Sequence, residues 1–268
     1  MPACTNSTNA STREKKIAEG MVWRRINIFE SLTSRFYLRF KDRSSAATLL
    51  AQSLKDRLRL LGNIPDNNNN DNSNTGVTVL GIPRGGVITA DTLAKKLSTP
   101  NFDILIPRKL PAPYNEELGI GATMEDGSTY LNENITDALN ISQEYIEKVK
   151  IQQIEEIKRR KAVYRKPGLK YDFNDKIVIL VDDGAATGAT IIASARWVRK
   201  NHKPKVLVAA LPVAPKDIVS LLKDEVDYVE VVTSPPTSRF KSVQQYYQDF
   251  NQATDQQVIQ IMKSRNLI

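Results

Sequence analysis

Five short segments rich in Val, Ile and Leu recur between residues 77 and 232. Apolar runs of this length are typical of strands buried on both faces of a parallel sheet. Segments with apolar residues at helical spacing lie between several of them. The pattern therefore predicts an α/β fold, in which a five-stranded, mainly parallel sheet is flanked by helices. The predicted strands are Val77–Ile82, Asp103–Pro107, Lys176–Val181, Lys205–Leu211 and Asp227–Val232, and the predicted helices are Gly86–Leu97, Ala189–Lys200 and Pro215–Leu222.

A long segment separates the second predicted strand from the third, and we interpret about 110–168 as an insertion. It contains a predicted hairpin, Gly121–Leu131, that turns at an Asp-Gly pair. A charged helix at about Ser142–Tyr164 should follow, with i,i+4 pairs at Glu155–Arg159 and Glu156–Arg160. Because the apolar face of this helix is loose, we expect it on the outside of the domain or at a subunit contact.

A further helix is predicted ahead of the first strand. Ser44 or Ser45 can cap its N-terminus. Apolar residues then recur on one face as far as Leu61, which we take as the end of the helix.

The beginning of the chain and one internal tract lack such periodicity. The first residues are rich in Ser, Thr, Asn and Lys, so 1–35 is predicted to be a flexible N-terminal arm. Residues 66–74 are rich in Asn, which is typical of a surface loop. The main domain should therefore comprise 36–268 and end in a small C-terminal hood at about 233–268.

The composition restricts the chemistry that this chain can perform. It has one cysteine, Cys4, and one histidine, His202. Zinc sites built from Cys and His, and Cys-His dyads, are therefore excluded. A Ser-His-Asp triad would have to use His202, which lies in a predicted helix-to-strand loop. These absences remove most hydrolase mechanisms.

Hydropathy and charge indicate a soluble protein with an anionic ligand. No apolar run approaches the roughly 20 residues needed to cross a bilayer, and the polar N-terminus lacks the apolar region of a secretory signal. We therefore expect a cytoplasmic protein without membrane contact. The net charge of +8 fits a polyanionic ligand. Nucleic acid is also possible but is not favoured, because no arginine-rich block with interleaved aromatic residues occurs.

The most informative segment is Asp182–Thr190, which reads Asp-Asp-Gly-Ala-Ala-Thr-Gly-Ala-Thr. It follows the third predicted strand and leads into a predicted helix. A Gly-containing loop at a helix N-terminus presents free backbone N–H groups, which suit a phosphate. Two adjacent carboxylates suit sugar hydroxyls or a hydrated divalent metal. A phosphorylated ribose combines both requirements.

This segment resembles the phosphoribosyl pyrophosphate (PRPP) motif of the type I phosphoribosyltransferases, in which apolar residues, two acids, a short variable step, Thr-Gly, a small residue and Thr or Ser follow one another. A Walker loop would need Gly-Lys-Thr/Ser and a dinucleotide fingerprint Gly-x-Gly-x-x-Gly, and both are missing. The likeness extends over about 36–262 to a poorly characterised bacterial and archaeal subfamily of predicted phosphoribosyltransferases. The segments that carry it are Phe40–Arg43, Pro83–Val87, Arg108–Leu110, Gly119–Ala122 and Tyr246–Phe250.

Cationic residues and glycines follow the first three predicted strands. Pro83–Gly86 follows the first strand, Arg108 and Lys109 follow the second, and Asp182–Thr190 follows the third. Because the carboxyl ends of parallel strands meet at one edge of a sheet, we expect these segments to form one site for an anionic, hydroxylated ligand. In the family that the sequence resembles, the first segment often holds a strained or cis peptide.

The resemblance implies a role for each residue. The loop backbone and its hydroxyls would bind the 5′-phosphate of PRPP, and the acid pair would bind ribose hydroxyls and stabilise positive charge on the ring. Mg²⁺ would bridge the ribose hydroxyls and the pyrophosphate, with no direct protein ligand and with Asp182 and Asp183 reaching it through water. Residues Pro111–Leu118 would be a mobile loop that closes over the reacting centre. The implied 5′-phosphate residues are Gly184, Ala185, Ala186, Thr187, Gly188, Ala189 and Thr190, the implied pyrophosphate residues are Arg84, Gly85, Gly86, Arg108 and Lys109, and the implied catalytic residues are Asp182, Asp183 and Lys109.

The acceptor is not identified by these motifs. Ala186 stands where hypoxanthine and guanine enzymes of the family carry the Asp that exchanges a proton with the purine, which weakens an oxopurine assignment. Adenine and uracil enzymes also have Ala there. We expect the acceptor to contact 110–131 and 233–250. The aromatic residues that could cover a base, or serve only C-terminal packing, are Tyr246, Tyr247 and Phe250.

Three functions therefore remain open. The first is transfer of ribose 5-phosphate from PRPP to a nucleobase or similar small nucleophile, with release of pyrophosphate, by a homo-oligomer in nucleotide salvage. The second is a PRPP-binding regulatory module that acts on RNA or a protein partner. The third is another ribose-phosphate enzyme on the same fold, such as a hydrolase or a phosphorylase.

Overall fold

A computed structural model of the protein describes residues 39–60 and 76–268. Strands and helices alternate through most of the second range, as the apolar pattern predicts. The predicted N-terminal arm, the Asn-rich tract and Leu61 lie outside the described residues. The strands are β1 (Val77–Gly81), β2 (Asn101–Ile104), β3 (Arg108–Ala112), β4 (Asn115–Thr123), β5 (Thr129–Leu131), β6 (Ile177–Val181), β7 (Val206–Val213) and β8 (Tyr228–Thr233), and the α-helices are α1 (Arg43–Leu60), α2 (Gly85–Lys96), α3 (Glu133–Ala138), α4 (Gln143–Tyr164), α5 (Ala189–Asn201), α6 (Lys216–Lys223) and α7 (Asp255–Ser264).

The central sheet has five strands in the order β2-β1-β6-β7-β8, and every neighbouring pair is parallel. The predicted α/β fold with a five-stranded parallel sheet is therefore confirmed. Every residue of β1 and β6 is buried, which explains their continuous apolar sequences. The second strand begins at Asn101 and ends at Ile104, two to three residues earlier than predicted at each end.

Helices cover both faces of this sheet. On one face, α1, α2, α7 and the second half of α4 pack together around residues such as Leu54, Leu93 and Met262. On the other face, α5 and α6 pack through Ile191 and Leu222. Burial of each large aliphatic side chain contributes about 1.5–3 kcal/mol, so these two layers hold the strand ends in register.

The N-terminus of α1 differs from the prediction. The helix begins at Arg43, and Asp42 forms the cap: its Oδ1 accepts a hydrogen bond from the Ser45 backbone N–H at 2.7 Å. The Ser45 hydroxyl accepts one in return from the Asp42 N–H at 3.0 Å. The prediction that Ser44 or Ser45 caps the helix is therefore wrong, because Asp42 supplies the side-chain acceptor for the first turn.

The insertion contains a second, antiparallel sheet with the order β3-β4-β5. The predicted hairpin is confirmed by the pairing of Gly121 with Leu131, and Gly127 occupies its turn with φ +78°. Strand β3 was not predicted, and it pairs with β4. The segment expected to be a mobile loop, Pro111–Leu118, spans the end of β3 and the start of β4, where the register shifts and Ala112 pairs with Asn115.

Helix α4 is confirmed within one residue of its predicted bounds, but its location differs from the expectation. Its first half packs Ile146 and Val149 against the small sheet, and its second half buries Ile157 and Tyr164 in the main core. The helix therefore joins the two sheets and is not confined to the outside of the domain.

The side-chain pairs on α4 are also partly corrected. The Arg160–Glu156 pair forms at 2.8 Å, as predicted. Glu155 instead pairs with Lys158, and Arg159 also pairs with Glu156. Across the described ranges, no helix is both long enough and apolar enough to span a membrane.

Candidate active site

The segment Asp182–Thr190, which we call the acidic loop, connects β6 to α5. Gly188 precedes the helix with φ +71°, and a Cβ there would lie 2.9 Å from Ile218 Cγ2. Both facts require glycine at this position. No side chain caps the helix. Its first backbone N–H groups therefore remain available to an anion.

Hydrogen bonds fix the position of the acid pair at the start of the acidic loop. The Asp183 backbone N–H donates to Asp182 Oδ1 at 2.8 Å. Arg43 Nε donates to Asp183 Oδ2 at 2.7 Å, and the Tyr247 hydroxyl donates to the Asp183 carbonyl at 2.6 Å. Burial and the adjacent Asp183 charge raise the pKa of Asp182 well above its ordinary value. A ligand that brings hydroxyl donors or a cation would stabilise both carboxylates in their charged form.

Glycines bring the loop after β1 directly under these carboxylates. A Cβ at Gly85 would lie 2.6 Å from Asp183 Cγ and 2.9 Å from Arg43 Nε. A Cβ at Gly86 would lie 2.7 Å from the Val181 carbonyl oxygen and 2.8 Å from Asp182 Oδ1. The two loops that the sequence predicted to converge are therefore in contact, and only glycine permits this approach. The peptide bond between Pro83 and Arg84 is cis, in agreement with what the resemblance implies.

Arg108 and Lys109 lie next to each other on β3 but point in different directions. Arg108 Nε donates to Gln153 Oε1 on α4 at 2.8 Å. The Lys109 side chain crosses Gly119 instead, where an added Cβ would lie 2.9 Å from Lys109 Cδ and 3.4 Å from Thr187 Oγ1. Alternation along a strand explains the divergence. The structure thus brings Lys109 towards the acidic loop and Arg108 towards the helix of the insertion.

Sequence reasoning gave no role to Arg43, although it lies in one of the motifs that carry the resemblance. Besides Asp183, its guanidinium contacts the Asn251 carbonyl oxygen at 2.8 Å and stacks on the Phe250 ring at 4.0 Å. The arginine therefore connects α1, the acidic loop and the C-terminal segment. No local pattern in the sequence signals this contact, because its partners are distant along the chain.

Two of the aromatic residues considered as cover for a base serve packing instead. Tyr246 and Tyr247 are each 1% exposed. Tyr247 pairs with Phe40 through an isolated bridge and a ring contact at 5.2 Å. Phe250 is half-buried beneath Arg43. The C-terminal segment therefore holds the acid pair in place through the contacts of Tyr247 with Asp183 and of Phe250 with Arg43.

The described residues include no group of three or more His, Cys, Asp or Glu side chains suited to a metal ion. A cleft of about 480 Å³ lies at the tip of the β3–β4 hairpin and is lined by residues such as Tyr114, Tyr145 and Gln152. No residue of the acidic loop lines it. The convergent side chains, rather than the cavity, define the candidate site.

Comparison with known proteins assigns the family. The phosphoribosyl transferase domain matches residues 50–251. The chain belongs to the phosphoribosyl transferase family. This phosphoribosyl transferase domain includes the acidic loop, the loop after β1 and both β3 cations, so the predicted relationship is confirmed.

Individual relatives extend the comparison. The chain is 34% identical over 220 residues to two proteins of Mycobacterium tuberculosis, one from strain CDC 1551 and one from strain H37Rv. Each is named "Putative phosphoribosyl transferase". The match covers 82% of this chain but 45% of each relative, so the chain spans less than half of their length. The crystal structure of TT1426 from Thermus thermophilus is 34% identical, with a TM-score of 0.63, over 84% of this chain and 98% of that chain.

Proposed function

We propose that this phosphoribosyl transferase transfers ribose 5-phosphate from PRPP to a nucleobase or similar small nucleophile and releases pyrophosphate. The observation that carries the proposal is the contact between Gly85, Gly86 and the acid pair, beside a helix N-terminus with no side-chain cap. This arrangement places two carboxylates, free N–H groups and cations around one edge of the sheet. A sugar with phosphate groups at both ends matches that distribution of charge.

In the proposed reaction, the nucleophile forms a bond to ribose C1 while the bond from C1 to the pyrophosphate oxygen breaks. The pyrophosphate leaves with the bonding electron pair, and the nucleophile loses a proton. Positive charge develops on the ribose ring, and Asp182 and Asp183 would stabilise it. The N–H groups at the start of α5 and the hydroxyls of Thr187 and Thr190 would hold the 5′-phosphate.

Cations would stabilise the leaving group. Arg84, in the loop after β1, and Arg108, at the start of β3, would each offer a fork of N–H donors to phosphate oxygens. Lys109, which lies with Thr187 near Gly119, would contact the donor from the acidic-loop side. Adjacent carboxylates suit a hydrated Mg²⁺ ion, so Asp182 and Asp183 would hold it through water, and a bound ion would supply positive charge to the pyrophosphate.

The acceptor remains open within this proposal. Ala186 is exposed and carries no group that could exchange a proton with a base. The insertion and the segment after β8 are the parts of the chain from which the acceptor contacts would come. Function in nucleotide salvage, a cytoplasmic location and a homo-oligomeric state belong to the same proposal.

A screen for pyrophosphate release tests the proposal. The protein would be incubated with PRPP and Mg²⁺ and a panel of bases, amines and alcohols, and PRPP binding would be measured by calorimetry. The double variant Asp182→Asn/Asp183→Asn serves as the negative control. Absence of PRPP binding to the wild type would refute the proposal. Binding without pyrophosphate release would support the regulatory alternative, and release without an acceptor, with ribose phosphate as product, would support the hydrolase alternative.

A further inference from the structure

Three arginines from three separate elements are linked through helix α4 and the start of α7: Arg108 and Arg160 bind side chains of α4, and Arg84 and Tyr164 of α4 both contact Asp255. Arg84 precedes α2, Arg108 begins β3 and Arg160 belongs to α4. We call these three residues the arginine cluster. Sequence reasoning assigned the first two to pyrophosphate, but Arg160 has no role in the proposed function. It is nevertheless only 7% exposed, which is rare for an arginine without a bidentate partner.

The hydrogen bonds of the cluster account for few of its donors. Each guanidinium has five N–H donors. Within the described ranges, Arg160 makes one hydrogen bond, from Nε to Glu156 Oε1 at 2.8 Å. Arg108 makes one to Gln153, and Arg84 has one long contact of 3.4 Å with Asp255. Most of the donors in the cluster therefore lack a protein acceptor in the part of the chain that the structure describes.

Another buried arginine of this chain has a hydrogen-bond acceptor for each of its three guanidinium nitrogens. Arg165 is 3% exposed, and its Nε and NH2 bind both carboxylate oxygens of Asp103 at 2.8 and 2.6 Å. Its NH1 donates to the Leu169 carbonyl oxygen at 2.9 Å. Arg160 lies five residues earlier on the chain and is almost as deeply buried. Among the described residues, it has one hydrogen-bond acceptor where Arg165 has three. Packing alone does not explain an arginine in this state.

The charges around the cluster leave it positive. Burial and the neighbouring charges of Arg160 and Arg84 lower the pKa of Arg108. Glu156 and Asp255 are the carboxylates in contact with the cluster, and both are shared with Arg159. Asp255 also accepts a hydrogen bond from the Tyr164 hydroxyl at 2.7 Å. An added polyanion would satisfy the open donors and remove the repulsion between the arginines.

We propose that Arg160 is the third guanidinium of the pyrophosphate site and contacts the pyrophosphate group of the donor together with Arg84 and Arg108. The inference rests on the proposed function, because it assigns the ligand of the same site. Glu156 and Gln153 hold Arg160 and Arg108 in place by binding their Nε atoms, which leaves the outer N–H groups without an acceptor among the described residues. Helix α4 thereby contributes binding as well as packing.

Calorimetric titration with inorganic pyrophosphate and Mg²⁺ tests this inference. Arg160→Met should weaken binding about 10- to 100-fold, the value expected for the loss of a hydrogen bond between charged groups. Arg160→Lys keeps the charge but loses the fork, so its affinity should lie between those of Arg160→Met and the wild type. The matched control is Lys158→Met on the same helix. Lys158 is exposed, and its one ion pair among the described residues is with Glu155, so pyrophosphate affinity should not change.

Two results would overturn the inference. One is wild-type affinity in Arg160→Met while Arg108→Met binds weakly; the proposed function would then survive without Arg160. The other is an equal loss of pyrophosphate affinity in Arg160→Met and in the control Lys158→Met, which would show that the loss does not depend on a contact made by Arg160. If Arg160→Met does not fold by circular dichroism, Arg160→Lys and Arg160→Gln provide the comparison. Absence of binding of both pyrophosphate and PRPP to the wild type would refute the proposed function itself.

Discussion

The two halves of the candidate site are built in different ways. The acidic loop is nine consecutive residues between one strand and one helix, and its carboxylates are held by hydrogen bonds from Arg43 and the backbone. The arginine cluster combines three elements that are distant in the sequence, and most of its N–H donors have no acceptor among the described residues. Both halves concentrate like charges, which costs stability in the free protein and would favour ligands of opposite charge.

The largest expected effect comes from separating the two loops that meet at the acid pair. In Gly85→Ala, the new Cβ would lie 2.6 Å from Asp183 Cγ, so the carboxylate and Arg43 must move. A displacement of about 1 Å in a reacting site can reduce activity about 100-fold. We expect that loss in kcat/KM for PRPP, measured by pyrophosphate release.

Gly76→Ala is the control for this prediction, because among the described residues no atom outside its chain neighbours lies within 4 Å of the position of its Cβ. It should retain wild-type kinetics. An active Gly85→Ala enzyme with an unchanged KM would show that the contact between the two loops does not position the acids.

The two acids should differ in their effect on stability. Asp183→Asn removes the charged partner of Arg43 and should lower the free energy of unfolding by about 2 kcal/mol. Asp182→Asn should raise it, because the pKa of Asp182 is raised in the folded protein. A carboxyl group of this kind binds more protons in the folded state, so its ionisation lowers stability as pH rises above its unfolded pKa.

Urea denaturation at pH 5 and pH 8 measures this contrast. The gain in Asp182→Asn should be larger at pH 8 than at pH 5, since Asn cannot ionise. Asp183→Asn should be less stable than the wild type at both values. A gain for Asp182→Asn that shrinks with rising pH would contradict the assignment of the raised pKa.

Most of the parallel sheet and the acidic loop could be predicted from the sequence because their determinants are local. Continuous apolar runs identify buried strands, and the residues of the loop are adjacent along the chain. Gly188 illustrates the point, since its φ of +71° precedes the helix just where the motif places glycine. Convergence of the loops then follows from the parallel topology alone.

The arginine cluster, Arg43 and strand β3 could not be predicted in the same way. The β3 sequence Arg-Lys-Leu-Pro-Ala has neither alternation nor a β-branched residue, and its pairing with β4 is a tertiary contact. Arg160 occupies a helix whose charge pattern is that of a solvated surface. Its burial depends on how α4 packs between the two sheets, and this tertiary packing cannot be predicted from a local sequence pattern.

Removal of one cluster arginine should abolish ligand binding while leaving the stability of the free protein nearly unchanged. Arg108→Met loses the hydrogen bond to Gln153 but also removes repulsion from Arg84 and Arg160, so the net change in unfolding free energy should stay within about 1 kcal/mol. The rise in melting temperature caused by pyrophosphate with Mg²⁺ should disappear. Arg199→Met is the control: this exposed residue pairs with Asp227, and its variant should retain the ligand-induced rise. A large loss of stability in the free Arg108→Met protein would show that the cluster is structural.

The smallest expected effect concerns how Arg43 holds the acidic loop. Arg43→Lys keeps the charge beside Asp183 but loses the contact with the Asn251 carbonyl oxygen and the stacking on Phe250. Because Asp183 remains paired, the KM for PRPP should rise less than about tenfold, with kcat nearly unchanged. Arg57→Lys on the same helix is the matched control, since Arg57 binds Glu230 at 2.9 Å and stacks over Tyr228. That variant should change melting temperature without changing KM. A loss of kcat in Arg43→Lys equal to that in Gly85→Ala would mean that Asp183 requires the guanidinium fork itself, and that the acidic loop depends on distant residues as fully as the arginine cluster does.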